Sequence, residues 1–291
     1  MWNLMTLDGR GDDEALGQSA FRKLEHGFAI RDRLRGALAE QQATERKYSR
    51  RDNRADHTSR TAWVEWVLES DLDYTEAALL MGDFLHNLRA ALDHAMWAIT
   101  PRHIQEARPT EVAFPLHSTE KRYTAWANKR QDWYGPTVFE VLKNSQPFKA
   151  VGTGKLHPLH ILQFLSNTDK HQLLNIVANN QVDLGGVSVV PEPLGGVVST
   201  INQGVVTRGS VLDRVEFTRP KHPGTVSITL MPVFAFEQVF RYVDQDAVEN
   251  WLVVGDAMNE IGPDVVEAVG YVLSAHAHDT KAATGRESLG P

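Results

Sequence analysis

The chain has 291 residues, 42% of them hydrophobic and 23% charged, the balance of a folded globule rather than a disordered chain. Thirty basic against thirty-seven acidic side chains leave a net charge of −7, which excludes a broadly basic nucleic-acid surface but not a local basic groove. Cysteine is absent, so disulfides, thiolate metal sites and cysteine nucleophiles are excluded together.

Residues 14–45 read as an amphipathic helix, with Phe21, Leu24, Phe28, Leu34 and Leu38 near one stripe. Residues 46–60 contain Arg46, Arg50, Arg51, Arg54 and Arg60 and little that is apolar, the composition of a solvated linker or a basic contact loop. From Thr61 to Asp71, Trp63, Glu65 and Val67 alternate with Val64, Trp66 and Leu68, which predicts a strand covered on both faces.

Residues 75–99 carry the clearest helical pattern. Met81, Phe84, Leu85, Leu88, Leu92, Ala95, Met96 and Ile99 form one wide apolar face, and Pro101 ends it. A loop follows over 101–118, then two short helices at about 119–131 and 136–144. Pro158 opens a further helix, expected to reach Ala178 either unbroken or with a break near Ser166–Asn167–Thr168. The composition shifts over residues 180–240, where Val, Thr, Gly and Pro in short alternating runs predict an antiparallel sheet. Residues 246–275 return to a helical pattern, and 276–291 read as a disordered tail.

The fold class expected is α+β. A helical domain spans 1–179, a β-rich subdomain 180–245, and a closing C-terminal helix 246–275.

Two segments concentrate polar chemistry. On the 75–99 helix, Asp83, Asn87 and His94 form a polar stripe at the edge of the apolar face, beside the small Ala90 and Ala91. Arg89 and Asp93, four residues apart, can pair on the opposite flank. In the second segment, Asn167, Asp169, Lys170 and His171 fall near the predicted break. If the chain re-enters a helix there, Lys170 and His171 occupy a first turn, where free N–H groups favour an anion. The two apolar faces are expected to pack, bringing His94 and His171 to one rim; the alternative is a hydrogen-bonded network that only fixes helix register.

Gly82–Asp83–Phe84–Leu85–His86–Asn87–Leu88–Arg89–Ala90–Ala91–Leu92–Asp93–His94, with Asn167–Thr168–Asp169–Lys170–His171, resembles a family of bacterial and phage proteins. Its members carry a GD-x-x-HNLR-x-ALDH helix and a downstream N-x-DKH segment. The resemblance implies that the two segments belong to one design and names no chemistry. Arg89–Ala90–Ala91–Leu92–Asp93–His94 also resembles the R-x(4–6)-H motif of HEPN proteins, helical bundles that often dimerise and include metal-independent ribonucleases. Ala90 stands where those nucleases usually carry a polar residue.

Three functions stay open at this point. The first is a non-enzymatic ligand- or partner-binding module, with a homodimer among its partners. The second is a phosphodiesterase acting on RNA or another phosphate-bearing ligand: His94 and His171 would be acid and base, Arg89 or Lys170 would hold the phosphate, and Asp83, Asn87, Asn167 and Asp169 would bind or orient. The third is a metal site built from Asp83, His94 and His171. No cofactor is expected. Gly152–Thr153–Gly154–Lys155 lacks the spacing of a phosphate loop, and His276, His278 and Asp279 fall in the expected tail. His157 and His160 flank a helix start and read as structural or cap-related. No apolar run reaches the roughly 20 residues of a membrane helix, and the N-terminus lacks a signal-peptide layout, so a cytoplasmic protein is expected.

Overall fold

The computed structural model describes residues 13–56, 58–219, 227–244 and 246–287. Helices and antiparallel sheets make an α+β fold that ends on a helix. Among the described residues, no helix is long and apolar enough to cross a membrane. The chain forms two compact units, each discontinuous in sequence. One gathers described residues from 1–35, 78–174 and 241–291, the other from 36–77 and 175–240.

The first unit is mainly helical. It holds most of α1 (Asp13–Ala43) and α2 (Thr75–Ile99), the latter with the predicted bounds. Phe84, Leu85, Leu88, Leu92 and Met96 of α2 are fully buried, so the wide apolar face does become core. The loop expected over 101–118 contains α3 (Arg102–Ala107) and a 3-10 turn at Pro109–Glu111. Then come α4 (Glu120–Asn128) and α5 (Pro136–Asn144), close to expectation.

Helix α6 (Pro158–Asp169) differs. It runs through Ser166–Asn167–Thr168 without a break and ends at Asp169 rather than Ala178. The reason lies just beyond it. Leu174, Ile176 and Ala178 are buried while Leu173 and Asn175 are exposed, a period of two that belongs to extended chain.

The second unit packs two antiparallel sheets. Strands β1 (Tyr48–Asp52), β2 (Thr61–Leu68), β4 (Val197–Ile201) and β6 (Val211–Thr218) form one sheet in the order β1-β2-β6-β4. The other is built on β3 (Val177–Val190), which pairs with β5 (Val205–Val206) and β7 (Ser227–Val243). One hydrophobic cluster of this unit joins Val189 of β3 to Val215 and Phe217 of β6, with Ala62, Trp66, Val197 and Ile228 against them. The sheet expected over 180–240 is therefore present, but it also recruits residues 48–68 from the part expected to be helical. The supposed linker supplies edge strand β1, whose Ser-Arg-Arg-Asp run suits an exposed edge.

The C-terminus departs twice from expectation. Trp251 and Leu252 lie in strand β8 (Glu249–Val253), not in a helix. Helix α7 (Val254–Glu287) then takes in most of the segment expected to be disordered; 288–291 lie outside the described residues. Its far end is anchored. Asp279 Oδ1 and Oδ2 accept the N–H groups of Thr137 (3.3 Å) and Val138 (3.2 Å), capping the start of α5, where Gly135 has no side chain of its own to offer. A Cβ on Gly135 would collide with that carboxylate.

Candidate functional site

The two polar segments do meet, at Gly82. A Cβ on this buried α2 glycine would stand 2.5 Å from Asp169 Oδ1 at the end of α6, so a side chain at position 82 would require the Asp169 carboxylate to shift. Asp83 and His86 act electrostatically on Asp169. Its pKa is raised, first by burial and then by the Asp83 carboxylate, with His86 opposing. The junction thus gathers Asp83, His86 and Asp169. His94 lies twelve residues beyond Gly82 on α2, about 18 Å farther along the axis, so it does not share this cluster.

The remaining motif residues are placed as follows. Asn87 is buried, donates to the Asp83 carbonyl (2.8 Å) and accepts from Lys23 of α1 (3.5 Å). Arg89 donates to the Phe114 carbonyl (2.8 Å), Asp93 accepts the Phe114 N–H (2.9 Å), and the two side chains pair at 3.5 Å. They form a clip on one loop residue. His94 is half-buried, and Asn167, Lys170 and His171 are exposed. Lys170 caps the C-terminus of α6 and His171 follows it. That is the negative end of the helix, opposite to the anion-binding first turn that a break here would have made. Among the described residues, no group of three or more His, Asp or Glu side chains is placed to hold a metal ion.

A better-formed site lies elsewhere in the same unit. An open cleft of about 360 Å³ separates the end of α5, the start of α6 and the middle of α7. Helix α5 contributes Val141, Asn144 and its cap Ser145; α6 contributes His157 and Leu159; α7 contributes Asp264, Glu267, Ala268 and Tyr271. The volume lies at the low end of small-ligand pockets, about 300–1,000 Å³.

Its polar groups are perturbed. Asp264 makes no hydrogen bond or ion pair among the described residues. Its pKa is raised to about 6, by burial first and then by Glu267 and Glu260 on neighbouring turns. Glu267 accepts from the Tyr271 hydroxyl at 2.6 Å. His157 sits at the α6 N-cap position without using its side chain as a cap, and its Nδ1 is buried with no hydrogen-bond partner among the described residues. Burial, and secondarily His160, pushes its pKa down to about 4. Behind it, His160 Nδ1 and the Tyr242 hydroxyl share a 2.7 Å hydrogen bond. A second depression, of about 350 Å³, includes Trp133, His276 and Asp279, but its acid is engaged in capping α5.

By sequence His157 reads as structural or cap-related and Asp264 does not stand out. The available signal was on α7: Asp264 stands between positions that prove buried, Ile261, Val265 and Ala268, and so had to sit at the edge of an apolar face. The chain matches no protein-family model, no curated protein and no solved structure.

Proposed function

We propose that the protein is a ligand-binding module whose ligand occupies the cleft between α5, α6 and α7. One observation carries this: an open recess with apolar walls holds a half-buried carboxylate, Asp264, that nothing in the described chain neutralises. Uncompensated burial of a charge is costly, and it is tolerated where a ligand supplies the partner. The phosphodiesterase alternative draws less support. Arg89 is engaged with Phe114 and Asp93, and Lys170 and His171 stand at a helix end that disfavours phosphate.

Asn144→Trp tests the proposal, because Asn144 is exposed on the cleft rim and an indole there would close the recess without touching the core. In a ligand-observed NMR screen of small fragments, wild type should yield hits that compete for one site. Asn144→Trp should lose them while keeping its circular dichroism spectrum. Fragments that bind both proteins equally, or bind neither, would remove the cleft as a ligand site.

A further inference from the structure

We infer that the cleft between α5, α6 and α7 takes an organic monocation, a primary amine or guanidinium on a short apolar or aromatic stem. The inference rests on the cleft being the ligand site and adds the chemical class. Three independent features bear on charge. Asp264 and Glu267 lie one turn apart on α7 and both line the recess, while among the described residues no lysine or arginine lines it. Lys143, the nearest basic residue of α5 in sequence, is paired with Glu120 at 2.6 Å. Helix α5 ends at Asn144 on the cleft wall, so its negative pole adds to the field of the carboxylates. His157, which also lines the wall, is held neutral by burial and brings no positive charge.

An anionic ligand would meet two carboxylates and a helix C-terminus. A neutral ligand would leave Asp264 as uncompensated as before. An ammonium or guanidinium group supplies the donors that Asp264 lacks, as a charge-assisted hydrogen bond. The stem has a place as well. Val141, Leu159 and Ala268 give an apolar wall, and the Tyr271 ring, fixed through its hydroxyl to Glu267, offers a face to cation and stem alike.

The test uses one skeleton in three charge states: phenethylamine, 2-phenylethanol and 3-phenylpropionate, titrated calorimetrically into the full chain at pH 7.5. The amine should bind at least about tenfold more tightly than the alcohol, the scale of one hydrogen bond to a charged group. The carboxylate should not bind measurably. Asp264→Asn, which keeps the neutral form that burial favours and should therefore fold, should abolish the preference for the amine. Equal or tighter binding of the alcohol or the carboxylate would overturn the cation class, as would an unchanged amine preference in Asp264→Asn. If none of the three binds, the class is likewise overturned. Fragment binding that Asn144→Trp abolishes would then still stand for the cleft as a ligand site, and loss of that result as well would remove both.

Discussion

Asp264 is ionised at neutral pH in surroundings that oppose it, and this has a consequence for stability. Its pKa rises from the ordinary 3.8 to about 6 on folding. The folded state therefore binds more protons than the unfolded chain between those values, and the penalty is complete above pH 6 and absent below about pH 4. Asp264→Asn should raise stability at pH 7.5 by about 1 kcal/mol, allowing for solvent screening in an open cleft. The gain should vanish by pH 4 in urea titrations; a gain independent of pH would mean that it does not arise from the buried charge. Gly82 offers a second test. Alanine inside a helix normally gains about 1 kcal/mol over glycine, yet at this position its methyl would meet Asp169 Oδ1 at 2.5 Å and Cγ at 2.8 Å. Gly82→Ala should therefore forfeit much of that gain, because the Asp169 carboxylate must shift to admit the methyl. In an Asp169→Ala background the same change should stabilise. A gain in the wild-type chain as large as that in the Asp169→Ala background would show that α2 and Asp169 are not in close approach. The resemblance of the two motifs implied a common design, but no periodicity could show that a glycine, rather than a histidine, is the point of contact.

Among the elements, α2 was legible because its signal is long and redundant: twelve residues of one helix are buried apolar positions at helical spacing. Leu88, fully buried at its centre, should cost about 2–5 kcal/mol when cut to alanine. A loss below about 0.5 kcal/mol, typical of surface changes, would place it outside the core. The end of α7 was not legible, for the opposite reason. Ala-His-Ala-His-Asp-Thr-Lys-Ala-Ala has good helix formers but little apolar face, and what secures it is the distant N-terminus of α5. Asp279→Ala should cost about 1–2 kcal/mol, the value of a lost N-cap. Truncation after Ala275 should cost at least as much, measured by chemical denaturation. Removal of a truly disordered tail would leave stability unchanged, and that result would refute the capping contact.

At the scale of the whole chain, composition and patterning indicated an α+β protein and located the strand-rich stretch, but not the partition of the chain. Alternation identifies a strand without saying which strand it joins. The Thr61–Leu68 pattern was readable as a strand covered on both faces, yet its pairing with β6, some 150 residues later in sequence, depends on long-range register that no local signal carries. The consequence is testable. Residues 180–245 look like a separable β subdomain by composition, but even in a slightly longer fragment, 175–245, β6 would lose the β2 partner to which it pairs from Thr61↔Thr218 to Val67↔Val211. It would also lose Ala62 and Trp66, which cover Val215 and Phe217. An exposed ladder edge and an uncovered core face on a chain of this size leave too little buried apolar surface to offset the entropy of ordering. The fragment 175–245 should therefore show a poorly dispersed NMR spectrum and no cooperative unfolding transition. Joining 36–77 to it through a flexible linker should restore both. A cooperative transition in the isolated fragment would mean that β1 and β2 are accessories to the sheet rather than part of its core.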